Sequence, residues 1–140
     1  SISNVPRLEA EVLLSNLLKI NPMKFHTDDI GISSNVMNKF ESMIESRFKG
    51  MPIAYLIGKK EFWSLDFEIN PSVLVPRPET ELLVEKLVRI YRNNKISILD
   101  VGRGSGCILI SLLSELTNSR GVGIDISKKS IKSFVKVLKS

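Results

Sequence analysis

The chain has 140 residues, 43% of them hydrophobic, a mean hydropathy of +0.08 and a net charge of +5. That is enough apolar surface to build a core, which excludes a disordered segment, and the length suits one ordinary domain or two very small ones. No apolar run approaches the roughly 18 residues of a membrane span, and the opening SISNVPRLEAEVLL lacks a basic region followed by an apolar one, so a soluble, cytoplasmic protein is expected. The single cysteine, Cys107, cannot form an internal disulfide, which suits a reducing compartment. Set inside an apolar run, it reads as a small core residue rather than a nucleophile.

In chain order, PRLEAEVLLSNLLKI opens on Pro6, suited to a first helical turn, and spaces Val12, Leu13, Leu17 and Ile20 at helical intervals. His26, the one histidine, has no metal-ligand partner at useful spacing and is expected on the surface or at a cap. A second helix is expected from Asn35 to Lys49, where Val36, Phe40, Met43, Ile44 and Phe48 repeat at steps of three and four before Gly50. The period then changes. Trp63, Leu65, Phe67 and Ile69 alternate with Ser64, Asp66 and Glu68 as in a half-exposed strand, and NPS turns the chain into VLVP. A hairpin joining two modules is expected there, with Trp63 packed on its inner face. From PRPETELLVEKLVRIY onward the rhythm is helix, strand, helix, strand, helix, which means an α/β layer on a parallel sheet.

The charge is uneven. Residues 1–70 carry eight Lys/Arg against nine Asp/Glu, whereas residues 71–140 carry twelve against six. Much of the excess lies in SKKSIKSFVKVLKS, where Ile131, Val135 and Leu138 suit a buried stripe with lysines outside. A single aromatic residue, Phe134, lies among those lysines, too few to form a row of stacking platforms, so nucleic-acid contact is not favoured.

The chemistry gathers at ILDVGRGSGCILI. A strand over 96–101 ends, Gly102, Gly104 and Gly106 follow at alternate positions, and a helix begins near Cys107. Glycine in a strand-to-helix turn takes positive φ and lets a ligand reach backbone amides. A dinucleotide fingerprint needs its third glycine where Cys107 stands, and a Walker loop needs a terminal Gly-Lys-Ser/Thr that does not occur. What remains is a Gly-x-Gly-x-Gly turn preceded by Asp100, which resembles the first motif of class I methyltransferases that bind S-adenosylmethionine (SAM). The next strand, GVGIDIS, ends in Asp125, where a carboxylate can accept hydrogen bonds from both ribose hydroxyls. Asp125 also suits a cap on the following helix.

Three segments, PRLEAEVLL, GMPIAYLIGKKEFWSLDFEINPSVLVPRPETELLVE and ILDVGRGSG, together resemble the HemK/PrmC family of release factor glutamine methyltransferases. These methylate the glutamine of the Gly-Gly-Gln loop in class I peptide-chain release factors. The resemblance implies a small all-α substrate-docking domain over 1–60 and a β-hairpin linker over 61–76. Residues 77–140 would then be the start of a truncated α/β Rossmann-like class I SAM-dependent methyltransferase domain. It implies a cofactor site at Gly102, Arg103, Gly104, Ser105, Gly106 and Asp125, with no metal and no membrane. Arg77 and Thr80 fall in a segment that abuts the pocket in the family, although Arg77 also suits a surface position and Thr80 a helix start.

There are two departures. Arg103 stands where the family usually has a small threonine, so its guanidinium either repels the cofactor's cationic groups or pairs with its carboxylate. The Asn-Pro-Pro-Tyr motif that holds the substrate amide in the family does not occur among the 140 residues. No catalytic residue is therefore expected in them, and by itself the chain is expected to be inactive. Two other readings stand beside this one, a nucleic-acid amino-methyltransferase and a non-catalytic module that binds a release factor.

Overall fold

The computed structural model describes residues 5–27 and 29–126. The expected amphipathic helix over the lysine-rich tail and the side chain of His26 lie outside the described residues. The chain divides into two compact units, Ser1–Ile57 and Gly58–Ser140.

The first unit is helical. Pro6 precedes α1 (Arg7–Leu18), and Pro22–His26 form a 3-10 turn in which the Asn21 side chain accepts the Met23 N–H. Next comes α2 (Ser34–Phe48), where the Ser33 hydroxyl accepts the Val36 N–H. This helix stops at Gly50, whose φ of +94° lets the Met51 N–H turn back to the Ser46 carbonyl at 3.1 Å. A short α3 (Ile53–Ile57) follows. α1 packs on both α2 and α3, with Leu13 and Ile44 buried. Phe48, expected in the apolar stripe of α2, is instead exposed. It occupies the last position of the helix, at the rim of a cleft of about 270 Å³ shared with Val5, Pro6, Glu9, Arg47 and Gly50.

One ion pair ties α1 to α2. Arg47 donates from Nε to Glu9 Oε2 at 2.7 Å and from Nη2 to Oε1 at 3.0 Å. The Arg47 hydrogen bonds hold the Glu9 carboxyl below its ordinary value of 4.5, against the opposing effect of burial. A carboxylate whose folded pKa lies below its unfolded one stabilises fully above the unfolded value, and that contribution vanishes as pH falls through the folded value. Glu9→Gln should therefore lose less stability than the parent chain between about pH 5 and pH 3. Thermal melts of the two proteins across that window check it, and parallel losses would mean that the pair contributes nothing.

The second unit opens with an antiparallel hairpin, β1 (Lys59–Phe62) and β2 (Leu65–Glu68), in the register Lys59↔Glu68 to Phe62↔Leu65. This corrects the expected strand from Trp63 to Ile69. Trp63 and Ser64 form the two-residue turn with φ of +53° and +56°, and VLVP is not a strand. Such turns normally advertise themselves with Asn-Gly or Asp-Gly, and this one carries no glycine. Left-handed backbone costs a non-glycine residue about 1–2 kcal/mol. Two carboxylates help to hold the turn: Glu81 Oε1 accepts the Trp63 backbone N–H at 2.7 Å, and Glu115 Oε1 accepts its indole N–H at 2.9 Å. The indole thus lies at the hairpin tip rather than on its inner face. That face is built by Phe62 and Phe67, both buried and packed edge to face at 6.2 Å.

α4 (Glu79–Tyr91) buries Val84 and packs on α5 (Cys107–Glu115). α5 connects β3 (Ser97–Val101) to β4 (Arg120–Ile124), which run parallel with Ser97↔Arg120 through Val101↔Ile124 paired. One face of this pair lies under α5, where Leu109 rests on Gly121 and Gly123. The other face presents Leu99, Val101, Val122 and Ile124 to solvent at 48–71% exposure. Among the described residues no helix is long and apolar enough to cross a membrane.

Candidate functional site

The carboxyl ends of β3 and β4 meet at the glycine turn. Gly102, Gly104 and Gly106 all have positive φ, at +74°, +53° and +76°. The chain can therefore reverse within five residues, as side-chain-bearing residues could not without strain. Around Gly102 there is open space, and Gly104 has only Val73 Cγ1 within 4 Å of the position a Cβ would take. The turn is sewn to β4: the Gly102 and Arg103 N–H groups reach the Ile124 carbonyl at 2.8 and 3.3 Å, and the Gly104 N–H donates to Asp125 Oδ2 at 3.0 Å. Gly106 then starts α5, donating to the Arg103 carbonyl at 2.7 Å.

Each expected site residue can now be located. Gly102, Arg103, Gly104 and Asp125 come together at the strand ends. Ser105 lies in the same turn but is buried, its hydroxyl accepting the Cys107 N–H at 3.4 Å, so its side chain serves the start of α5. Asp125, half-buried, ties the turn to its own strand. Arg77 is exposed, whereas Thr80 lies in the first turn of α4, its N–H reaching the Arg77 carbonyl. Cys107 is buried, and burial pushes its thiol above the ordinary value, as a packing residue requires. Among the described residues no group of His, Cys, Asp and Glu is arranged to hold a metal.

Asp100, paired with Gly123 across the strands, faces the start of α5. Burial raises its carboxyl above the usual range; the Leu109 backbone N–H and the Arg103 charge pull it down, and the nearby Asp125 charge pushes it up. Its Oδ2 is buried with no hydrogen-bond partner among the described residues. The acid before the glycines thus serves the first turn of the helix as well as the strand end.

Sequence reasoning missed two parts of this arrangement. Val73, from the segment read as a strand, is buried against Gly104 and forms one side of the turn. Gly121 and Gly123 leave room for neighbours: a Cβ on Gly121 would lie 2.4 Å from Leu109 Cδ1, and one on Gly123 2.6 Å from Arg103 Cδ. Their alternation within a strand was the available signal, since glycine there marks close approach.

Comparison with known proteins defines the class first. Residues 2–58 match the family described as the PrmC N-terminal domain. Most of the sequence then aligns with curated proteins named release factor glutamine methyltransferase. It is 43% identical to that of Buchnera aphidicola subsp. Schizaphis graminum over 91% of this chain and 46% of the relative, and 37% identical to that of Coxiella burnetii over 94% and 48%. It is 40% identical to that of Buchnera aphidicola subsp. Baizongia pistaciae over 92% and 47%. Residues 2–58 thus belong to the PrmC N-terminal domain family, and the chain is similar to the proteins named release factor glutamine methyltransferase, spanning about half the length of the curated relatives it matches.

Proposed function

We propose that this chain carries the docking module and half of the cofactor site of a SAM-dependent enzyme that methylates the side-chain amide of the Gly-Gly-Gln glutamine in class I release factors. The observation that carries the reading is the glycine turn bonded to Asp125 at the ends of two parallel strands. The residues fit an adenosyl ligand. Bare backbone at Gly102 and Gly104 leaves space beside the turn, and carboxylates at the strand ends suit a ligand bearing ribose hydroxyls and an ammonium group.

When bound, SAM supplies an activated methyl group on a sulfonium. In this reading Gly102, Arg103, Gly104, Ser105 and Gly106 present backbone to it, and Asp125 accepts from the ribose while its bond to Gly104 fixes the carboxylate in place. Residues 77–140 form the start of a Rossmann-like domain, 61–76 the linker and 1–60 the docking domain. The exposed Phe48 beside the partly exposed Glu9–Arg47 pair offers an apolar patch with charged neighbours, the composition that suits a transient protein contact.

A chimera tests the activity. Residues 1–140 joined to the carboxyl half of the Buchnera relative should incorporate methyl groups into release-factor glutamine. Removing residues 1–57 from that chimera should impair methylation of intact release factor far more than methylation of a short Gly-Gly-Gln peptide. A chimera that folds, binds SAM and modifies neither substrate would contradict the reading, and equal losses on both substrates would reduce the helical unit to a stabilising role.

A further inference from the structure

Arg103 departs from the small residue the family resemblance leads one to expect, and the fold gives it a definite place. Its side chain leaves the turn between two glycines and lies across β4, with Cδ 2.6 Å and Cβ 3.4 Å from where a Cβ on Gly123 would sit. Leu109 Cδ2, 3.3 Å from the same point, closes the other side. The stem is thereby confined to the α5 side of the sheet, and the residue is half-buried. Gly123 pairs with Asp100 in the parallel register, and Asp125 lies two residues further on. The guanidinium attracts the Asp100 carboxylate, which the Asp125 carboxylate repels. Two acids and one cation thus share the strand ends, and the cation belongs to the turn itself.

We propose that Arg103 is a specificity-determining residue of this site: a resident positive charge beside Asp100 and Asp125 that favours adenosyl ligands with an uncharged thioether sulfur over those with a sulfonium. The inference rests on the cofactor reading above. A site holding two carboxylates alone would welcome a sulfonium. With a guanidinium already beside the acids, a second fixed cation meets repulsion that a thioether of the same shape escapes. In a partly solvated site, repulsion between two such unit charges costs on the order of tenfold in affinity.

The experiment measures dissociation constants of the 140-residue chain for SAM, S-adenosylhomocysteine and methylthioadenosine by calorimetry, in the parent chain and in Arg103→Thr and Arg103→Lys. The expected result is a preference for S-adenosylhomocysteine over SAM that falls about tenfold in Arg103→Thr and is retained in Arg103→Lys. Methylthioadenosine, an uncharged thioether without the amino-acid end, should bind the three proteins alike. Equal thioether-to-sulfonium ratios in all three proteins would overturn the role of Arg103 while leaving the cofactor site standing. If Arg103→Thr weakens SAM and S-adenosylhomocysteine equally and spares methylthioadenosine, Arg103 is instead a carboxylate anchor and the selectivity claim is wrong. Binding of none of the three ligands by any of the proteins defeats the cofactor reading and this inference with it. Arg103→Lys retains the charge and a long stem, so it separates loss of charge from loss of packing over Gly123.

Discussion

Asp125→Ala should weaken S-adenosylhomocysteine binding by roughly 10- to 100-fold, because a charge-assisted hydrogen bond is worth about 1.5–3 kcal/mol. The same substitution removes the acceptor of the Gly104 N–H, so the Gly104 amide should also exchange faster with solvent. The two readouts separate the roles that the carboxylate can play. Faster exchange with unchanged affinity would mean that Asp125 ties the turn and does not touch the ligand. Lost affinity with unchanged exchange would mean that the turn holds without it. Asp125→Asn, which keeps an acceptor oxygen and drops the charge, should fall between.

Gly121→Ala should destabilise the second unit by about 1–3 kcal/mol, the usual cost of forcing an extra methyl group into a filled core. The added carbon would lie 2.4 Å from Leu109 Cδ1, 3.2 Å from Leu113 Cδ1 and 3.4 Å from Leu109 Cγ. Leu109 is buried against the sheet and has little room to retreat. Gly31→Ala is the control, since nothing lies within 4 Å of its added carbon. Denaturant melts should show a shifted midpoint for the first and almost none for the second. Combining Gly121→Ala with Leu109→Ala should cost less than the sum of the two alone, because the second substitution removes the obstructing atoms. Strict additivity would mean that helix and strand are not in contact.

How much of this was legible in the sequence depended on how local the cause was. Strand ends at Val101 and Ile124 and the start of α5 at Cys107 followed from apolar runs broken by glycine or, after Ile124, by Asp125, and they were expected almost to the residue. α2 was equally legible, from its period and its Gly50 stop. The hairpin was misplaced because its turn violates the local rule: Trp63 and Ser64 adopt left-handed backbone under the hold of Glu81 and Glu115, the latter 52 residues away from Trp63. No window around the turn contains that information. At the candidate site, the glycines and Asp125 announced themselves by spacing, whereas the contact of Val73 with Gly104 and the crossing of Arg103 over Gly123 arise only when the chain folds. Asp100 was legible as an acid before a glycine turn, but its second task at the start of α5 was not.

The central claim is that the glycine turn and Asp125 form half of an adenosyl-cofactor site. Its most direct test is an amide chemical-shift titration of the isotope-labelled chain with S-adenosylhomocysteine. Saturable shifts are expected to concentrate at Gly102, Arg103, Gly104, Ser105, Gly106 and Asp125, with residues 5–57 unmoved. Shifts confined to the helical unit, or none in the turn at saturating ligand, would contradict it.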